Sequence, residues 1–304
     1  MRKFINDDYE ILARDLIKDA FYVEGRSYRG KISQIRQLTE VIVRKLLDIE
    51  PSQKITLGKY DIQQQIKNLD NHSLVLDAIE IINKNGSNYT HTEKRNEVSE
   101  EEYSLILDKL FDLLSIFHIN YFTKYKFGSD NKIISVFSLL PPIIRYKVLT
   151  FLHEKDPQNI AIIDKLTLVI LKAFGEQEAR AWIEQKKTEL IEMPIMSQEV
   201  INSLKKEVGA ESLAAIQKSS HANMYELCKN KIAEVGAIIK KNGTLYSDFE
   251  SALLFYKKSG ILIGDDPAIH EFNDIMNFLY LGRIEKQQEL SCEDNPYLII
   301  NYLF

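Results

Sequence analysis

The chain has 304 residues, with 39 Lys and Arg against 44 Asp and Glu, giving a formal charge of −5. This balance excludes a basic field over the whole molecule that would hold nucleic acid, while leaving room for a local basic patch. The two cysteines, Cys228 and Cys292, form no CxxC pattern, which favours a reducing cytoplasm over a disulfide framework. No signal-peptide pattern and no membrane-length apolar run occurs, so we expect a soluble protein with no membrane partner.

Proline and glycine are scarce, at 7 and 12 residues, and long stretches of the chain carry no turn residue. Apolar residues recur every three or four positions in these stretches, which is typical of amphipathic helices and predicts an all-α fold. The first helix is expected after the capping residues Asn6-Asp7-Asp8. The other predicted helices cover residues 31–49, 59–69, 73–82, 99–122, 142–152, 159–174, 177–191, 198–208, 212–218, 223–241, 246–258 and 268–281.

Residues 83–102, NKNGSNYTHTEKRNEVSEEE, are the most polar stretch of the first half of the chain. Asn85-Gly86 is a turn signal and predicts a loop after the helix at 73–82. Ser99 and Glu102 have the spacing of a capping box, in which each side chain satisfies a free backbone N–H of the other residue. The acids at the end of this stretch therefore predict the start of the next helix.

The best candidate linker is Phe127-Gly128-Ser129-Asp130-Asn131, because it combines glycine with small polar residues. It divides the chain into a helical bundle over residues 1–126 and a second helical domain over residues 132–285. The C-terminal tail, 286–304, is expected to dock onto the protein through its apolar end, Tyr297–Phe304, as a strand or a helix end.

Strong catalytic signatures are absent from the sequence, which contains no GxxxxGK[ST], GxGxxG, HExxH or GxSxG motif. His153-Glu154 and His270-Glu271 each lack the second histidine at i+4 that would place two imidazoles on one metal ion. We therefore predict no metal site and no cofactor.

The order of elements around residues 83–102 is more informative. An early helix carries Arg36-Gln-Leu-Thr-Glu40, two further helices follow, and Gly86-Ser87-Asn88-Tyr89-Thr90-His91 precedes a long capped helix. This arrangement resembles the HEPN superfamily of helical domains, and within it a branch found in bacterial restriction and abortive-infection genes. The resemblance covers roughly residues 8–125. It implies a helical bundle that forms a homodimer and, in active members, cleaves RNA without a metal ion.

RNA cleavage without a metal ion needs a base near the ribose 2′-OH and a cation near the phosphate, and several polar residues of this region could supply them. His91 is the expected base, and Lys84 stands where active members carry an Arg, so it is the expected catalytic cation. Asn88, Arg95 and Arg36 are expected to bind substrate. Alternatively, His91 and Asn88 only hold the loop, through hydrogen bonds to backbone groups or to Glu40. Glu40 is expected to orient His91, although an ordinary i,i+4 ion pair with Arg36 explains it equally well.

The densest basic stretch holds Arg26, Arg29, Lys31 and Arg36 beside Tyr22 and Tyr28. It can contact phosphates, or it can simply be a solvated helix entry. Two hypotheses follow for the whole chain. One is a bacterial anti-phage defence protein that acts on or senses RNA or a nucleotide; the other, favoured by Lys84 in place of Arg, is a non-catalytic module that dimerises and holds a protein partner through its second domain.

Overall fold

The structure is a computed structural model that describes residues 4–90, 97–196, 201–202, 205–206, 209 and 221–285. Helices dominate these residues and none of them forms a β-strand, which confirms the all-α fold class. The helices are α1 (Glu10–Ile17), α2 (Tyr28–Leu46), α3 (Tyr60–Lys67), α4 (His72–Thr90), α5 (Glu100–Lys124), α6 (Asn131–Phe137), α7 (Pro142–Lys155), α8 (Ile160–Phe174), α9 (Glu176–Gln185), α10 (Lys187–Glu192), α11 (Met224–Asn242), α12 (Phe249–Ser259) and α13 (Pro267–Tyr280).

Helix ends follow the local sequence signals closely. Ser99 Oγ accepts from the backbone N–H of Glu102, and the Glu102 carboxylate accepts from the N–H of Ser99, both at 3.2 Å, so the capping box before α5 is formed. Pro142 is the first residue of α7, where its missing N–H costs no helical hydrogen bond. Gly175 ends α8 with a φ of +95°, a conformation that favours glycine.

The predicted loop at residues 83–90 is wrong, because α4 continues through it to Thr90. Gly86 lies against the side chain of Arg36 on α2, where an added Cβ would come within 2.5 Å of Arg36 Cδ. Asn83 accepts a hydrogen bond from Arg36 in the same contact. Packing between α2 and α4 therefore compensates for the weak helix propensity of these residues.

Smaller differences occur elsewhere. The predicted helix at 177–191 is divided into α9 and α10 at Lys186. Helix α6 begins at Asn131, the last residue of the predicted linker, with Asp130 as its N-cap. The predicted helices at 198–208 and 212–218 and the tail at 286–304 lie wholly or mostly outside the described residues.

The chain forms two compact units, the first from the described residues between 4 and 125 and between 249 and 285, the second from those between 126 and 248. In the first unit α2, α4 and α5 pack against one another, and α13 packs against α5. The core residues of α2 recur at helical spacing: Ile32, Ile35, Leu38 and Ile42.

Residues 249–285 belong to the first unit, although the sequence predicted them to be part of the second domain. Aromatic contacts explain the difference, because the ring of Phe278 on α13 meets Phe117 of α5 at 5.2 Å in an edge-to-face arrangement. Asn6 also donates to the backbone and side chain of Asp274 at 3.0 and 2.9 Å. These partners are far apart in the sequence and carry no local signal of their pairing.

The second unit is built around α7, α8, α9 and α11. Its core includes the buried Ile163, Leu166 and Ile170 of α8. The hydroxyl of Tyr246 donates to the carbonyl oxygen of Ser138, which joins two distant loops of this unit. Across all the described residues, no helix combines the length and the apolar character needed to cross a membrane.

Candidate functional site

The predicted site residues divide into two groups. His91 and Arg95 lie outside the described residues. Arg36 and Glu40 lie on α2, while Lys84 and Asn88 lie near the end of α4. The structure therefore places four of the predicted residues on two neighbouring helices of the first unit.

Arg36 is held between these two helices. Its Nη1 lies 3.3 Å from Glu40 Oε1, and its Nε donates to Asn83 Oδ1 at 3.1 Å. The i,i+4 ion pair that the sequence offered as the plain explanation is thus formed. Because a carboxylate and an amide already engage the guanidinium, Arg36 serves first to fix α2 against α4.

Lys84 has a different setting from Arg36. It is exposed, and it pairs with no carboxylate in the part of the chain that the structure describes. Asn88 follows it by one helical turn, so the two residues share one strip of the α4 surface. Lys84 is thus available to an incoming anion.

A second group of side chains, which we call the bundle-end cluster, consists of Tyr28, Arg29, Lys31, Tyr89, Glu102 and Tyr103. The rings of Tyr28 and Tyr103 are stacked, with centroids 4.7 Å apart and planes 19° apart. Lys31 Nζ lies 5.9 Å from the Tyr28 centroid and 5.6 Å from the Tyr103 centroid. This arrangement joins a two-ring aromatic surface to one ammonium group.

The other half of the cluster ties the end of α4 to its neighbours. Arg29 Nη1 donates to the Tyr89 carbonyl oxygen at 3.2 Å, and its guanidinium lies over the Tyr89 ring at 5.4 Å. The Tyr89 hydroxyl donates to Glu102 Oε1 at 2.8 Å. Burial and this hydrogen bond raise the pKa of Tyr89 to about 12, so the phenol stays a donor at neutral pH.

The cluster lies beside the last residues of α4, and α4 ends at Thr90, the residue before His91 in the chain. Sequence inspection identified Tyr28, Arg29 and Lys31 through their basic and aromatic character, but it missed Tyr103. No local pattern marks Tyr103, because it comes from α5 and reaches the cluster only through tertiary packing. Chemically, the arrangement offers a ring for base stacking and a cation for a phosphate.

A pocket in the second unit was not predicted from the sequence. This pocket is lined by Arg145, Lys165, Lys172 and Lys231 among apolar side chains. The available signal was the presence of Lys165 and Lys172, two turns apart, on the otherwise apolar helix α8.

Among the described residues, no three His, Cys, Asp or Glu side chains come close enough together to hold a metal ion. No protein-family model, curated protein or solved structure matches this chain.

Proposed function

We propose that the first unit binds RNA or a nucleotide beside the end of α4, as part of a bacterial anti-phage defence of the abortive-infection type acting in the cytoplasm. The observation that carries this proposal is the stacked Tyr28–Tyr103 pair with Lys31 over both rings. Single-stranded RNA is recognised by stacking its bases on aromatic rings while cations contact the backbone. A local cluster of this kind is compatible with the overall acidic charge.

The catalytic form of the proposal is a metal-independent endoribonuclease. His91 takes the proton from a ribose 2′-OH, the 2′-oxygen attacks the adjacent phosphorus, and the P–O5′ bond breaks, with the leaving 5′-oxygen protonated from solvent. Lys84 or Arg95 stabilises the negative charge that develops on the phosphate. Asn88 and Arg36 contact the substrate, and Glu40 orients His91. The exposed position of Lys84, with no carboxylate partner in the described residues, supports its role as the phosphate contact.

RNA binding is tested by fluorescence anisotropy with a labelled single-stranded RNA over a range of salt concentrations. We expect Lys31→Ala to weaken binding about 3- to 10-fold and to reduce the salt slope by about 1, the effect of losing one phosphate contact. Lys54→Ala is the matched control, because Lys54 is exposed in a loop of the same unit. Equal affinities for the two variants, or no binding at low salt, would refute the proposed site.

The catalytic step needs a separate experiment. His91→Ala should abolish phage protection or RNA cleavage while leaving the melting temperature nearly unchanged, whereas Lys84→Arg should retain or raise activity, because it restores the cation of active family members. Full function in the double variant lacking both Lys84 and His91 would exclude nuclease activity as the basis of function. RNA binding would still be tested separately by fluorescence anisotropy.

The second candidate function is a non-catalytic interaction module that forms a homodimer or holds a protein partner. The specific observation in its favour is the exposure of Ile261 at 63% and Ile263 at 96%. The apolar character of α5 does not by itself argue for a dimer, because α5 packs against α2, α4 and α13 within the first unit. Analytical ultracentrifugation at about 10 µM, near ordinary interface affinities, should show a dimer that Ile263→Glu dissociates; a monomeric wild type excludes the dimer.

A further inference from the structure

Helices α7, α8 and α11 of the second unit surround a pocket of about 340 Å³. This volume lies at the lower end of the range found for small-molecule sites, roughly 300–1,000 Å³. Its walls are largely aliphatic and include Leu149, Val169, Val235 and Ile238. The pocket therefore provides space for a compact apolar body.

The polar part of the lining is mostly cationic. Arg145, from α7, is almost fully buried, at 4% exposure, and its guanidinium lies 5.9 Å from the Tyr246 ring centroid. Lys165 and Lys172 come from one face of α8, two turns apart, and Lys231 comes from α11. One helix face thus carries a lysine at each end of an apolar strip.

Among the described residues, carboxylates pair with Lys165 and Lys231 but not with Lys172. Asp164 pairs with Lys231 at 2.5 Å and with Lys165 at 3.3 Å, and Glu234 lies at the exposed edge of the lining. Burial, and then the nearby charges of Arg145 and Lys165, lower the pKa of Lys172 to about 7.

Collecting cations in a partly dehydrated pocket is unfavourable unless something offsets their mutual repulsion. A lysine that only filled space would extend its ammonium group to water and keep its ordinary pKa. Lys172 instead lines the same pocket as Arg145 and Lys165, so an anion bound there gains favourable interactions with all three. Lysines perturbed in this way within a cavity are characteristic of binding sites.

We infer that this pocket binds a small organic anion, with a carboxylate or phosphate head held by Arg145, Lys165 and Lys172 and an aliphatic body lying against Leu149 and Val169. The aliphatic body follows from the walls, in which branched aliphatic side chains far outnumber the single Phe, Tyr or Trp side chain that lines the pocket among the described residues, Phe137, whereas a site for a base would be built mainly from aromatic rings. This site belongs to the second unit and does not depend on RNA binding by the first.

The full-length chain is titrated by isothermal calorimetry with decanoate, decyl phosphate and inorganic phosphate, all below the micelle-forming concentration of the amphiphiles. We expect one saturable site for at least one amphiphile and at least tenfold weaker binding of inorganic phosphate. The tighter of the two amphiphiles identifies the head group as carboxylate or phosphate.

Three variants complete the test. Lys172→Met should weaken binding at least tenfold, and Leu168→Trp should abolish it by filling the pocket while leaving all its cations in place. Lys132→Met, at an exposed position of the same unit, should leave the affinity unchanged. The inference is overturned if neither amphiphile saturates a site, if inorganic phosphate binds as tightly as decyl phosphate, or if folded Lys172→Met and Leu168→Trp both bind like the wild type.

Discussion

Replacing Lys172 with Met should stabilise the second unit at neutral pH, because methionine keeps most of the side-chain volume and removes a charge that the pocket disfavours. The pKa of Lys172 falls from 10.5 to about 7 through burial and the charges of Arg145 and Lys165. Each pH unit of this shift corresponds to about 1.4 kcal/mol. Since Lys172 keeps part of its surface in contact with water, we expect a gain on the order of 2–3 kcal/mol at pH 6.5.

The sign of the pH dependence follows from proton binding. Between about pH 7 and pH 10.5 the unfolded chain protonates this lysine and the folded chain does not, so the stability of the wild type rises with pH in that window. Below about pH 7 the lysine is protonated in both the folded and the unfolded chain, so the full free-energy cost of placing its charge in the pocket destabilises the folded protein. The advantage of Lys172→Met should therefore shrink by roughly 1–2 kcal/mol between pH 6.5 and pH 8.5.

Trp182, the single tryptophan of the chain, lies on α9 of the second unit and reports its unfolding by fluorescence. Urea titrations at the two pH values compare the wild type, Lys172→Met and the exposed control Lys132→Met. A Lys172→Met variant that is no more stable than the wild type at pH 6.5, or that keeps the same advantage at pH 8.5, would show that the pocket does not penalise the charged lysine.

Three further predictions concern helix ends and close helix packing. Gly86→Ala should lower the melting temperature, because overpacking against Arg36 costs about 1–3 kcal/mol and exceeds the gain of about 1 kcal/mol in helix propensity; an unchanged or higher circular-dichroism melt contradicts this. Gly236→Ala should raise the free energy of unfolding, followed by Trp182 fluorescence, by up to about 1 kcal/mol, since the nearest neighbour of the added Cβ would be a Glu176 carboxylate oxygen at 3.4 Å. Ser99→Ala should lower the free energy of unfolding by about 1 kcal/mol through loss of the capping box, as measured by circular-dichroism melting. Ser99→Thr should restore most of this stability.

Features that depend on neighbouring residues in the chain were determined by the sequence alone. The all-α class, the capping box of Ser99 and Glu102, Pro142 at the start of α7 and Gly175 at the end of α8 all follow from hydrogen bonds or backbone angles within a few residues. Such local preferences operate in any surrounding fold, which is why the pattern predicts them correctly.

Other features were decided only by tertiary structure. Asn85-Gly86 signals a turn, yet the close contact of Asn83 and Gly86 with Arg36 keeps this part of α4 helical, because packing energy between two helices exceeds the propensity of single residues. Tyr103 reaches Tyr28 across the bundle by the same kind of contact. Arg145 and Lys172 are ordinary charged residues in the sequence; they line one cationic pocket only because the fold packs α7 against α8.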